Sequence, residues 1–176
     1  MKQFKLMSFL LAFLSFSFVF VACKQQDKSQ MLIGEWQYKN TITAQHEVWD
    51  KPNETITSEK TIKFDGDGKV LYRHKSTSQY VSGPHQYETF GNVMEKQGTY
   101  QIKDNDITIV FDHNSIKHES FGNDPYKKES IFSTVTIKAT DDEKLVYSIQ
   151  SLTANDFKIS HKSANTGFGL ENEWHK

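Results

Sequence analysis

The sequence predicts an all-β fold, an antiparallel up-and-down β-barrel of about eight to ten strands. Apolar residues recur with a period of two from residue 33 onward, the spacing of strands with one buried face. Asp-, Asn- and Gly-rich pairs separate the alternating runs, where tight hairpins need positive φ. No apolar run combines a 3.6-residue period with the length of a packed helix. A meander of this length either closes on itself or leaves two exposed edges, and closure removes the edges.

Gly34, Trp36, Tyr38, Asn40 and Ile42 share one face of the first strand, and a further strand is expected near residues 43–49. Ile62 and Phe64 follow, and Asp65-Gly66-Asp67-Gly68 turns the chain into the strand carrying Val70, Tyr72 and His74. Another strand is expected near 84–90. Gly98, Tyr100 and Ile102 then pair through Asp104-Asn105 with Ile107, Ile109 and Phe111. Ile131, Val135 and Ile137 mark one more strand. Leu145, Tyr147 and Ile149 meet Phe157 and Ile159 through Asn155-Asp156. The barrel is expected over 32–161, with a polar C-terminal tail at 162–176. Residues 76–96 and 112–129 read as two long loops, a length uncommon in compact domains unless the loops bind or cover something.

Composition narrows the function classes. Lys and Arg number 21 against 22 Asp and Glu, so there is no broad basic face and no nucleic-acid partner is expected. A single cysteine excludes an intrachain disulfide and a Cys-rich metal site. Lys2 and Lys5 precede 17 uncharged residues from Leu6 to Ala22, and Phe20-Val21-Ala22-Cys23 closes the run. A basic start, an apolar stretch and a small-residue exit are the layout of a secretory signal. With cysteine directly after the exit, the segment resembles a bacterial lipoprotein signal. That resemblance implies a signal peptide over 1–22, an acylated Cys23 as membrane anchor and cleavage before it. Residues 23–31 then read as a flexible polar tether. Lipoproteins of the Bacteroidetes type that reach the outer face tend to carry an acidic cluster after the cysteine. Lys24 to Gln30 has none, so an outer-membrane position facing the periplasm is expected.

Leu32-Ile33-Gly34-Glu35-Trp36 resembles the Gly-x-Trp start of the first strand in lipocalins and their bacterial relatives. Ile62 to Gly68 is similar to an early hairpin of those relatives, Gly98–Ile102 with Ile107–Ile109 to a central pair, and Leu152 to Ile159 to a final hairpin. The likeness is to a bacterial lipocalin-like (calycin) domain and spans most of 32–160. It implies structural roles: Gly34 lets the strand bend at the barrel base, and Trp36 plugs the closed end. The family's arginine over that tryptophan has no counterpart by position, because Arg73 is the only arginine.

For chemistry the chain offers little. It has no Gly-x-Ser-x-Gly elbow, and Glu35 points outward by parity, so no enzyme is expected and no catalytic residue is assigned. Asp65 to Gly68 lacks the later glutamate of a calcium loop. His46, His74, His113 and His161 share parity with apolar neighbours, yet no His-x-His or His-x-x-x-His pair occurs, so no metal or cofactor is assigned. The leading expectation is a non-enzymatic, membrane-anchored protein binding a small, partly apolar ligand in a barrel calyx. Its entrance would be framed by Tyr80 and Tyr87 of the first long loop and Phe121 and Tyr126 of the second, with His74 and His113 at the loop junctions. Two alternatives stand beside it. One is an envelope structural or interaction lipoprotein whose barrel is filled by its own side chains; the other is metal or haem capture by interior histidines. A cavity of roughly 300 Å³ or more beneath the loops separates the first two readings.

Overall fold

The computed structural model describes residues 28–45, 52–86, 88–125, 141–164 and 169–176. Cys23, the segment before it, His46, Tyr87, Tyr126 and the strand expected at 131–137 lie outside these residues. The fold is the expected antiparallel barrel. A short helix α1 (Lys28–Leu32) precedes β1 (Gly34–Ala44), β2 (Glu54–Phe64), β3 (Lys69–Tyr80), β4 (Thr89–Lys103), β5 (Asp106–Phe111), β6 (Lys117–Phe121), β7 (Glu143–Leu152), β8 (Asp156–Ala164) and β9 (Glu173–His175). Eight strands close in the order β1-β2-β3-β4-β5-β7-β8-β9, and β6 adds to the upper half of β4. Three hairpin turns, Asp65–Gly68, Asp104-Asn105 and Thr153–Asn155, gather at one end, which α1 and the C-terminus close. The β3–β4 connection and the exit from β6 lie side by side at the other end, where Tyr80 donates to Asp124 Oδ1 at 2.7 Å.

The alternation that predicts the strands also builds the core. Trp36, Ile62, Phe64, Ile107, Ile109, Tyr147, Phe157 and Trp174 are completely buried. At the closed end Phe157 packs against Trp36 with ring centroids 5.5 Å apart and edge-on against Phe64 at 6.0 Å. Tyr100 meets Phe64 at 4.9 Å and donates its hydroxyl to the Asp65 carbonyl at 2.8 Å, so the first hairpin is tied down from inside. The Trp36 indole N–H donates to the Leu32 carbonyl at 2.8 Å, which satisfies an orphan acceptor of α1.

Four expectations need correction. Residues 28–31 are not tether. They form α1, because buried Leu32 anchors its end and Lys28 donates to Asn105 Oδ1 at 2.5 Å. The segment 162–176 is not a free tail either. β8 runs on to Ala164, and β9 supplies the closing strand, inserting Trp174 between β8 and β1. The stretch 76–96 is a continuation of β3 and β4, joined by 81–88, and 112–129 contains a 3-10 turn (His113–Ser115) and β6. Here the ladder continues past the core, and both faces of Ser76-Thr77-Ser78-Gln79 are half-buried, so no apolar alternation marks the strand. Lastly, Ile42 keeps its expected parity but is 53 % exposed, since β1 outruns the buried part of the sheet.

Candidate functional site

The inner face of the barrel changes character halfway up. Tyr72 and Phe111, 6.0 Å apart, form an aromatic floor together with Leu145 and buried Tyr147. Above it opens a cavity of about 210 Å³, lined by Lys60, His74, Met94, Lys96, Glu143 and Leu170 over that floor. It is smaller than the 300 Å³ expected of a drug-sized site. The packed layer explains the difference: aromatic side chains already occupy the lower interior.

Register places the polar groups. Lys60 stands opposite His74, His74 opposite Met94, and Tyr72 opposite Lys96, so three adjacent strands present them to the same level. The Lys96 ammonium and the Glu143 carboxylate meet at 2.5 Å with both side chains 10 % exposed. Lys96 also lies 5.5 Å from the Phe111 ring and 5.9 Å from the Tyr72 ring, a cation held over two π faces. Lys60 pairs with Glu171, from the segment leading into β9, and sits 5.5 Å over the Tyr38 ring. That segment is fastened at several points. The Leu170 N–H donates to the Tyr147 hydroxyl at 2.5 Å, Ile159 N–H to the Asn172 carbonyl at 2.8 Å, and the Trp174 indole to the Glu171 carbonyl at 2.7 Å.

Ionisation follows this environment. Burial, with smaller contributions from Glu171 and Glu143, raises the Tyr72 hydroxyl far above the ordinary tyrosine range. Burial likewise raises Tyr147. His74 is shifted down, first by burial and then by the Lys60 charge, with Glu171 opposing; its Nε2 lies 2.8 Å from Ser58 Oγ. The site is therefore a mixed surface, with paired charges and an imidazole interleaved with Met94, Phe111, Leu145 and Leu170.

Of the residues expected at the entrance, His74 lines this cavity. Tyr80 does not. It ends β3 with 1 % exposure, stacks on Phe90 at 5.5 Å and donates to Asp124 Oδ1 at 2.7 Å, so its ring is spent on packing. Phe121 lies on the outer face, paired with Gly91, where any Cβ would come 2.9 Å from its Cζ, and Lys75 sits 5.7 Å over its ring. His113 is in the 3-10 turn outside the cavity, held by Asp142 Oδ1 3.1 Å from its Nδ1, and that contact lowers the Asp142 pKa. His161 is exposed, edge-on to Tyr147 at 5.5 Å. Among the described residues the one group of three metal-ligating side chains with ligand proximity is Asp112, His113 and Asp142. It stands on the outside, and Asp112 Oδ1 already accepts from the Asn114 N–H at 2.8 Å. No described histidine cluster lies in the interior.

Lys60, Lys96 and Glu143 escape a reading that looks for apolar residues inside. The signal is nonetheless present: each lies two residues before an inward position, Ile62, Gly98 and Leu145, on the same parity. Compared with known proteins, the chain matches no family model and no curated protein sequence.

Proposed function

We propose that the chain is a lipid-anchored, lipocalin-like binding protein of the cell envelope that holds one small, partly apolar ligand in the upper half of its barrel, without catalysis. The observation that carries this reading is the amphipathic cavity of about 210 Å³ above the aromatic floor. Polar groups to orient a ligand and apolar surface to desolvate it are the two requirements of a small-molecule site. Size limits the ligand. A cavity of about 150 Å³ holds a benzene molecule, so this one suits about one ring with a short substituent. The anchor in this reading is Cys23, with the barrel facing the periplasm from the outer membrane. Cys23→Ser then releases the protein from the membrane fraction or leaves it unprocessed, and metabolic labelling that finds no acyl chain on the wild type overturns the anchor.

The filled lower half favours a second reading, an envelope interaction protein whose barrel is a scaffold. Tyr72 at 6 % and Tyr147 at 0 % exposure leave no room below the cavity. Native mass spectrometry of the full chain purified from membranes separates the two. A stoichiometric small organic adduct supports binding. A clean apo mass, together with no thermal shift from a library of one-ring fragments, supports the scaffold.

A further inference from the structure

The cationic and anionic groups of the cavity come from different strands. Lys60, His74 and Lys96 stand on three successive strands, β2, β3 and β4. The carboxylates reach in from the opposite side, Glu143 from the first residue of β7 and Glu171 from the segment before β9. Lys60 engages Glu171 and Lys96 engages Glu143. Among the groups lining the space there are thus three nitrogen-bearing side chains to one carboxylate.

We propose that this cavity takes a small monocarboxylate, with its anionic group against Lys60, His74 and Lys96 and its body against Met94, Phe111 and Leu145. The inference rests on the calyx reading and adds the charge of the ligand. A cationic ligand would face the nitrogen-rich wall and find Glu143 and Glu171 held by lysines. A neutral one forgoes the charge-assisted hydrogen bonds, which are about twice as strong as neutral ones. The carboxylate also explains the imidazole. With both lysines matched, an added anion leaves one negative charge in excess, and His74 offsets it by taking up a proton. The charged groups around His74 among the described residues are Lys60 from β2, Lys96 from β4, Glu143 from β7 and Glu171. Burial and Lys60 keep the imidazole neutral before the ligand arrives, so anion binding and protonation favour one another. Affinity therefore rises as pH falls toward and below the ordinary histidine value of about 6.5.

The test is isothermal titration of the full chain with benzoate, benzamide and benzylamine, three one-ring probes that differ in charge. Benzoate is expected to bind about tenfold tighter than either of the others, the difference of one charge-assisted contact. Lys60→Met is expected to lose about that factor and Lys60→Arg to retain most of it. His74→Gln is expected to abolish both the pH dependence and the proton uptake, read from buffers of different ionisation enthalpy. Benzamide or benzylamine binding as tightly as benzoate overturns the anion inference and leaves the calyx reading standing. Failure of all three to bind overturns both. Unchanged pH dependence in His74→Gln overturns the protonation step.

Discussion

The two halves of the barrel are built on opposite principles. The closed half is apolar and redundant: Trp36, Phe157, Phe64 and Tyr100 touch in a continuous aromatic run, with Leu32 and Trp174 in the same buried core. The open half places charges inside, Lys96 with Glu143 and Lys60 with Glu171, around a cavity. In the first, stability comes from burial, which is proportional to area and forgiving of direction. In the second, each polar group depends on a particular partner, and the loss of one strands the other. A fold that tolerates a void and buried charge at one end must secure itself at the other.

The largest expected effect is at the closed end. Trp36→Ala should destabilise the protein by about 3–5 kcal/mol, the usual range for a buried aromatic, read from denaturant unfolding. A change below about 1 kcal/mol, typical of surface positions, would mean that the closed half does not carry the stability. In the open half the matching experiment is Lys96→Met, which leaves the Glu143 carboxylate in a buried site without its ammonium. A loss of about 3 kcal/mol is expected, and the Lys96→Met, Glu143→Leu double variant should recover most of it. Additive losses would break the contrast, since they would mean that the pair acts through volume rather than through charge.

How far each half is legible in the sequence follows from the same contrast. Where one face is apolar and the other polar, as at Gly98–Phe111 and Leu145–Ile159, the period of two locates strand and inward face together. Where both faces are half-buried and polar, as at Ser76–Gln79, the strands continue without an apolar period and the sequence reads as loop. β9 is three residues long, with one buried side chain, Trp174, and no period to detect. The site suffers the same fate in a milder form. Parity carried past the apolar residues reaches Lys60, Lys96 and Glu143, whereas aromatic content points to Tyr80 and Phe121, which packing claims instead.

The cation over Trp36 is a third kind of case. The resemblance implies an arginine, and the chain supplies Lys176, its Nζ 4.4 Å from the ring and donating to the Ile33 carbonyl at 3.1 Å and the Met31 carbonyl at 3.4 Å. The fit is close: Gly34, at φ 127°, leaves room where a Cβ would come 3.2 Å from Lys176 Cε. Sequence distance hides this contact, because the two ends of the barrel domain meet only after closure. Lys176→Ala should cost about 1–2 kcal/mol, from the cation–π contact and its hydrogen bonds. No change in unfolding midpoint would mean that the aromatic cluster closes the base without it.

The smallest effect belongs to His74 and sharpens the comparison by pH. Its imidazole is shifted down by burial and by Lys60, so the folded protein resists protonation where the unfolded chain accepts it. As pH falls below about 6.5, the unfolded state binds the proton first and stability declines until the folded-state value is passed. Above that range the unfolded histidine is also neutral, and His74 makes stability no longer depend on pH. The side chain is only partly buried, so the decline is expected to be small. His74→Gln should flatten the stability profile between about pH 7 and about pH 5 relative to wild type, with little change above it. Acid-sensitive groups outside the cavity leave this difference intact. Asp142, whose pKa His113 lowers, loses its contribution in a more acidic window, below the ordinary aspartate value of 3.8. Subtracting the two profiles therefore isolates the open half of the barrel. A flat difference would mean that the His74 imidazole is solvated and that the polar wall is wetter than its burial implies.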